Sequence, residues 1–456
     1  MAPHLTSGNL SLDRELRLQK YPELKSTRRV DVAIVGSGLC ALTAALQLYR
    51  SGKTVAVVAP AAVVESPHRA TGDFFDIIEP SNHAQWFAEL GLERANQIAG
   101  AYRDAISTLQ LLSTQVSECH FASVPSFNIA ERATDLTTVE QECAIGKALH
   151  GDCWFTGDMN LPFPCVGASR DTFQGKLLLA PLIRAMASEL QMLGAELYEH
   201  SPCIAPPRYG RLCELRTEHG AVQSNSIIFA SRTPHSPIAS EVSTLVSHHS
   251  YMIAARVNVA VEDAISRLGQ DPIRTIWRSD RFDSSKLIFR ADYFGDQLMS
   301  QQHCLNELAC YASSRFHVDK VEARWSHHQF LAADGLPIVG RADQMENVYV
   351  AAGMGLKELP WGITSGGLLA NLIQGIPSPL SDTLHSARLA DRQAKIERGK
   401  RSPSHGGFTG WPSYLPELSD GQSILPCAFP SVSPHSGEKG MQSSFMHNLT
   451  ANILRG

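Results

Sequence analysis

Hydrophobic and polar positions near the N-terminus follow the order strand, helix, strand. Residues 30–35 form a short apolar run rich in β-branched side chains, which predicts a buried strand of a parallel sheet. Residues 42–50 carry apolar side chains at helical spacing, and Ser51 and Gly52 end that helix. Residues 53–58 return to a strand pattern. These segments together predict a β-α-β unit.

A second group of buried elements is predicted towards the C-terminus. Residues 348–352 form another apolar strand, which follows a short apolar segment at 337–340. The stretch 353–364 is rich in glycine and reads as a loop. Residues 365–374 then have the pattern of a helix, and Gly375 caps it.

The chain between these two groups predicts a second domain. Segment 84–112 has helical periodicity, whereas segments 250–261 and 285–294 alternate as strands of a sheet do, with a helix near 301–315. The predicted fold class is therefore α/β, with a Rossmann-type nucleotide-binding domain and an inserted α+β substrate domain.

Composition and charge narrow the class of protein. The chain has 456 residues and a formal net charge of −5, which favours neither nucleic acid nor an anionic membrane as partner. The N-terminal segment lacks the apolar core of a signal peptide, and we expect no transmembrane segment. The cysteines form no C-x-x-C pair, so we expect free thiols, no metal site and a cytoplasmic location.

The turn after the first strand carries the sequence G-S-G-L-C-A at residues 36–41. Gly36 permits the tight turn, Gly38 lets a pyrophosphate approach the backbone, and Ala41 lets the helix pack on the strand. Ala59 stands where a ribose-binding carboxylate is expected after the second strand. The lost hydrogen bond is worth roughly 1.5–3 kcal/mol, which favours a large cofactor such as FAD over a freely exchanging NAD.

These motifs, in this order, resemble the FAD-dependent D-amino-acid oxidase superfamily, which includes glycine and sarcosine oxidases. The segments "DGLPIVG" and "VYVAAGMGLKELPWGITSGGLLANLI" are similar to the strand, loop and helix that cover the flavin in that family. The part "PWGITSGGLLANLI" resembles a bacterial branch whose members often carry a C-terminal Rieske domain. "GAVQSNSIIFASRTP" is similar to the strand that ends the family's nucleotide fold, and the resemblance spans about residues 30–375.

The resemblance implies a GR2/DAO-like fold and non-covalent FAD. Gln329, Phe330 and Leu331 stand where members with covalent flavin carry a cysteine. We expect no Rieske domain in this chain, because Cys427 is the only cysteine beyond residue 380. The residues expected to bind FAD are Gly36, Ser37, Gly38, Leu39, Cys40, Thr71, Gly72, Ala230, Gly353, Gly355, Gly362, Ile363 and Thr364.

The resemblance also suggests how the chain divides into domains. Beyond residue 402, proline, serine and glycine predominate and aliphatic residues are few, which predicts disorder. The predicted parts are an N-terminal extension at 1–27, an FAD-binding domain at 28–75, 166–235 and 326–378, a substrate domain at 76–165 and 236–325, a charged helix at 379–401 and a tail at 402–456.

The implied reaction is oxidation of the C–N bond of an amino acid or secondary amine. An arginine fork is a natural clamp for a substrate carboxylate, and Arg290 is the first candidate, ahead of Arg256 and Arg278; a structural ion pair between Arg290 and Asp292 is the alternative. Trp361 is a candidate pocket wall or a core residue, and His249 is a candidate base or gate or a structural residue.

Two other functions stay open from the sequence. One is a tailoring oxidase or dehydrogenase that acts on a larger biosynthetic intermediate. The other is a non-catalytic binding protein that keeps the fold, which the alanine at position 59 favours. The electron acceptor, oxygen or another molecule, and the oligomeric state are not indicated by any motif.

Overall fold

The computed structural model of the chain describes most of the predicted FAD-binding domain and of the predicted substrate domain. Thr71, Gly72, and the predicted tail lie outside the described residues. The described residues are 20–63, 74–204, 210, 212–230, 245–269, 272–279, 283–294, 300–343 and 345–389.

A seven-stranded sheet forms the first layer, and its central strands run parallel. Two other pairs of neighbouring strands in this sheet run antiparallel. In spatial order the strands are β17 (Ile338–Arg341), β18 (Val348–Ala352), β11 (Ala221–Phe229), β1 (Thr27–Val35), β2 (Val55–Val58) and β9 (Glu196–Tyr198), with β10 (Cys213–Arg216) beside β11.

An eight-stranded, largely antiparallel sheet forms the second layer. In spatial order its strands are β16 (Val318–Ala332), β12 (Leu245–Val257), β15 (Lys286–Phe294), β14 (Ile273–Arg278), β13 (Ile265–Leu268), β5 (Ser126–Ala130), β7 (Gly167–Asp171) and β6 (Cys153–Thr156). A small third sheet consists of β3 (Asp76–Ile77), β8 (Gly175–Leu177) and β4 (Ala122–Ser123).

Seven α-helices pack on these sheets within the described residues. The second is kinked at Gly91, whose φ of 75° lies outside the helical region. The helices are α1 (Leu39–Arg50), α2 (His83–Gln115), α3 (Ala133–His150), α4 (Leu179–Leu193), α5 (Gln301–Phe316), α6 (Glu358–Gln374) and α7 (Leu380–Leu384), with 3₁₀ turns at Ser117–Cys119 and Gly355–Lys357.

The predicted α/β class is confirmed, and one element boundary is wrong. The helix predicted to start at residue 365 is α6, and it already starts at Glu358. Pro360 lies in its first turn, where proline is tolerated because the N–H it lacks has no intrahelical partner. Gly362, Ile363 and Thr364 therefore lie inside a helix and not in a loop.

The predicted division into domains is compatible with the two sheets but differs from them at its borders. Strand β7 and the second part of β16, from residue 326, belong to the large sheet although both lie in ranges assigned to the FAD-binding domain. Of the predicted charged helix, only α7 and the residues up to 389 are described. No helix among the described residues is long and apolar enough to cross a membrane.

Helices α1 and α6 pack backbone to backbone because glycines face the contact. A Cβ on Gly366 would stand 2.6 Å from the carbonyl oxygen of Cys40 and 3.0 Å from the nitrogen of Ala44. A Cβ on Gly362 would lie 3.1 Å from the Leu39 Cβ. This contact fixes the C-terminal helix against the helix that begins the nucleotide-binding unit.

Substitutions at two neighbouring glycines of α6 test this contact. We expect Gly366→Ala to destabilise the protein by about 1–3 kcal/mol, because the new methyl group overpacks a backbone contact. Gly367→Ala is the matched control, since a Cβ there meets only the flexible end of Gln47 at 3.4 Å. It should gain up to about 1 kcal/mol of helix propensity. Urea unfolding measures both, and equal effects would contradict the packing argument.

Candidate active site

The turn between β1 and α1 has the backbone that the glycine motif predicts. Gly36 has a φ of 119°, which favours glycine, and its N–H donates to the carbonyl of Val58 at 3.0 Å. Gly38 is the N-cap of α1 and has no side chain with which to cap the helix. The first turn of α1 contains no acidic residue, so the helix terminus keeps its positive potential towards an anion.

Glu358, the first residue of α6, lies beside this turn. Its Oε1 lies 3.5 Å from the point where a Cβ on Gly38 would stand. Burial raises the pKa of the neighbouring Cys40 thiol, and the charge of Glu358 raises it further. Glu358 also lines a cleft between α6 and the large sheet. The dinucleotide-type turn and the cleft are therefore neighbours, with one carboxylate between them.

Ala59 is fully buried at the end of β2, and a carboxylate lies on the neighbouring chain segment. Its N–H donates to the carbonyl of Tyr198 at 2.8 Å. The next residue, Glu199, is buried and accepts hydrogen bonds from the backbone N–H groups of Tyr21 and Val63 at 3.2 and 2.7 Å. Glu199 thus holds the chain before β1 and the chain after β2 at this end of the sheet.

The cleft has aromatic walls. Phe74 and Trp325 stack with their ring centroids 5.4 Å apart and their planes 9° apart. Trp277 closes another side, and its indole N–H donates to the carbonyl of Phe75 at 3.0 Å. The lining residues are Phe74, Phe75, Asp76, Ile77, Glu79, Leu179, Ser250, Met252, Trp277, Arg290, Trp325, His327, Gln329, Leu356, Glu358 and Leu359.

Arg290 lies in the wall of the cleft and is held by two carboxylates. Both of its terminal nitrogens bind the Glu79 carboxylate, with Nη2 2.8 Å from Oε2, and Nε donates to Asp292 at 3.0 Å. Nη2 also donates to Thr275 Oγ1 at 3.0 Å. Burial alone would lower the pKa of Arg290, but the charges of Asp292 and Glu79 outweigh burial and raise it.

Asp292 orders the other side of this network. It accepts a hydrogen bond from Ser250 Oγ at 2.6 Å, and its Oδ1 lies 3.4 Å from His248 Nε2. Burial alone would raise the pKa of Asp292, but the adjacent Arg290 lowers it to about 2. The group therefore carries a charge at neutral pH and leaves Arg290 a permanent partner.

The structure does not bring the other two proposed catalytic residues into the cleft. Trp361 is fully buried in the core, where its ring meets Tyr102 edge-on at 5.4 Å. His249 stacks on His328 at 4.2 Å, and its Nε2 lies 3.1 Å from Ser247 Oγ. Of the three residues, Arg290 alone is in the lining of the cleft.

Several polar residues beside the cleft carry no motif in the sequence. Glu79 precedes α2 and binds Arg290, which is 211 positions away along the chain, so only the folded structure reveals the pair. Lys357 is half-buried over the ring of Trp86, 5.5 Å from its centroid. Burial, followed by the charge of Arg267, lowers the pKa of Lys357 to about 7. The predicted start of the helix that follows Lys357 is seven positions too late, so no sequence signal marks this lysine.

The comparison with family models decides the class of protein. The model of the DAO family, described as FAD dependent oxidoreductase, matches residues 31–373. The chain belongs to this family. It is therefore an FAD-dependent oxidoreductase, and the earlier expectation of FAD as cofactor is confirmed.

One sequence relative and two solved structures illustrate what this DAO-family chain is similar to. The Bacillus subtilis protein YhfW, named for a Rieske 2Fe-2S iron-sulfur protein, is 20% identical over 79% of this chain and 70% of its own length. Glycine oxidase from Geobacillus kaustophilus matches with a TM-score of 0.63, 17% identity and coverage of 77% of this chain and 96% of that chain. L-proline dehydrogenase from P. horikoshii matches with a TM-score of 0.66, 13% identity and coverage of 83% and 99%.

The residues at the turn fit FAD. The positive φ of Gly36 and the missing side chain of Gly38 leave the start of α1 open to a pyrophosphate. Gly353 and Gly355 also have positive φ values, of 70° and 52°, where the chain passes from β18 towards α6. The assignment of individual residues to FAD stays a prediction.

Removal of the charge of Glu358 should strengthen cofactor binding. A carboxylate beside a helix N-terminus competes with the pyrophosphate, so we expect Glu358→Gln to lower the Kd for FAD about two- to fivefold, as for a charge worth roughly 0.3–1 kcal/mol. Fluorescence titration of the apoprotein with FAD measures this. Glu307→Gln on the exposed face of α5 is the control with the same charge change. Weaker binding by the Glu358 variant alone would contradict the prediction.

Proposed function

We propose that this chain oxidises the C–N bond of a small amine or amino acid in the cleft between α6 and the large sheet. Bound FAD supplies the acceptor for the hydride that leaves the substrate carbon. The observation that carries the proposal is the position of Glu358, whose Oε1 lies 3.5 Å from the point where a Cβ on Gly38 would stand, while the same residue lines the cleft. The names of glycine oxidase and L-proline dehydrogenase, two enzymes of the same fold, support it.

The residues of the cleft can orient an amine and exclude water. The stacked pair of Phe74 and Trp325 and the ring of Trp277 supply apolar surface for the carbon skeleton. Asp76 and Glu358 supply carboxylates in the same lining. An amine must lose its ammonium proton before it gives up a hydride, and a carboxylate in hydrogen-bond reach can accept that proton.

The bonds of Arg290 bear on the kind of substrate. Glu79 already binds its guanidinium in the bidentate manner that a substrate carboxylate would need. The carboxylate of an amino acid can therefore bind Arg290 only if it displaces Glu79 or shares the guanidinium with it. An amine without a carboxylate meets no such competition, and the acidic lining suits its positive charge. The proposal therefore ranks amines ahead of amino acids as substrates.

Anaerobic reduction of the bound cofactor tests the proposal. We expect secondary or primary amines to bleach the visible absorption of the FAD-loaded protein, and the matching α-amino acids to do so more slowly. Stopped-flow absorption with pairs such as N-methylbenzylamine and N-methylphenylglycine measures both rates. If no amine or amino acid in such a panel reduces the cofactor while dithionite does, amine oxidation is the wrong reaction.

Substitution of Glu79 tests the role of Arg290. Glu79→Gln should keep a hydrogen bond to Arg290 but remove the competing charge. We therefore expect a lower KM for amino acids relative to that for amines, with the kcat ratio little changed. Glu131→Gln is the matched control, because Glu131 pairs with Arg315 at 2.6 Å outside the cleft lining. An unchanged KM ratio in the Glu79 variant would show that Arg290 does not contact the substrate carboxylate.

A further inference from the structure

Two histidines and an aspartate meet in the interior, away from the cleft lining. His83 is the first residue of α2, His150 the last residue of α3, and Asp171 the last residue of β7. Their side chains are only 4%, 5% and 10% exposed. Three separate elements of the chain therefore end at one buried polar point.

The ligand atoms of these three residues have the spacing of a metal site. His83 Nε2 and His150 Nε2 lie 2.9 Å apart, and His150 Nε2 lies 3.7 Å from Asp171 Oδ2. All three atoms lie within 4.8 Å of one another. Bonds of about 2.0–2.1 Å to a tetrahedral Zn²⁺ put neighbouring ligand atoms roughly 3.3 Å apart, which the two measured distances bracket.

The next layer of residues orients the ligands. Glu142 Oε1 lies 2.9 Å from His83 Nδ1, and its oxygens also accept the backbone N–H groups of His83 and Ala84 at 2.8 and 2.9 Å. A carboxylate on Nδ1 fixes the proton there and leaves Nε2 with a free lone pair. Asp171 is held in the same way, because its Oδ1 accepts the N–H of Phe173 at 2.9 Å and Oδ2 faces the imidazoles.

His150 is the residue whose proton an ion would have to move. The N–H of Asp152 donates to His150 Nδ1 at 3.2 Å, which places the ring proton on Nε2, directed at His83. An ion at Nε2 would displace that proton. If the proton moved to Nδ1, the Asp152 N–H would give up its bond there and Asp152 Oδ2, 3.8 Å away, would become the acceptor.

We propose that His83, His150 and Asp171 bind a divalent transition-metal ion, and that Zn²⁺ is the best match. Two imidazoles with one carboxylate suit Zn²⁺ better than Mg²⁺ or Ca²⁺, which prefer sets of oxygen ligands. The prediction of no metal site follows from cysteine spacing, which carries no information about these histidines. The ion would hold together the start of α2 and the ends of α3 and β7. The start of α2 follows Glu79, a residue of the cleft wall, by a short stretch of chain.

Metal titration of the full-length, chelator-treated protein tests this inference. We expect one Zn²⁺ per chain by elemental analysis, a higher Tm in its presence, and Co²⁺ absorption bands typical of tetrahedral coordination. Glu142→Gln should weaken binding about ten- to hundredfold, as loss of an outer-layer partner does. His150→Ala should also abolish binding. Asp171→Asn keeps the shape of the side chain and should abolish the Co²⁺ bands, so this variant still tests the metal site if His150→Ala fails to fold.

The matched control is His303→Gln, because His303 is an exposed histidine on α5 with 54% of its side chain accessible. It should keep the wild-type stoichiometry and Kd. Zinc binding that is equal in the wild type and the Asp171→Asn variant, or no binding by the wild type, would overturn the proposal. Neither result depends on FAD or on turnover, so the proposed oxidation stands or falls separately.

Discussion

The close contact of α1 and α6 is the constraint on which the rest of this structure depends. Gly362 and Gly366 let the two helices approach until a methyl group no longer fits at Gly366. The contact places the start of α6 against the glycine turn that begins α1. Since Glu358 and Leu359 of α6 also line the cleft, one helix pair fixes the position of the glycine turn relative to the cleft.

The charged network around Arg290 is the second constraint, and it is held by distant parts of the chain. Glu79 comes from the segment before α2, while Arg290 and Asp292 come from β15. A buried carboxylate without its partner is costly, by roughly 3–5 kcal/mol when one member of a pair is removed. The network therefore favours one position of the α2 segment relative to the large sheet, and this position sets the shape of the cleft.

Local patterns were sufficient to predict most of the fold. The β-α-β unit, the helix near 301–315 and the strands β12, β15 and β18 follow from apolar periodicity, because each buries one face or both faces. The start of α6 did not follow, since Pro360 and Gly362 read locally as loop residues. The error also affected Trp361, whose ring points into the core once it belongs to a helix.

The polar contacts of the site were much less predictable. Glu79 and Arg290 are 211 positions apart, and His83 and His150 are 67 apart. No periodicity connects such pairs, because only the packing of separate elements brings them together. Arg290 could be proposed from its strand, but the carboxylates that bind its guanidinium could not, and the proposed preference for amines rests on those carboxylates.

The visible absorption spectrum of the purified protein, before and after heat denaturation and centrifugation, tests the central claim most directly. The claim is that α1 and α6 together hold FAD without a covalent bond. It predicts the bands of oxidised flavin in the native protein and their transfer to the supernatant. A colourless protein that takes up no added FAD, or flavin that stays with the precipitate, would contradict it.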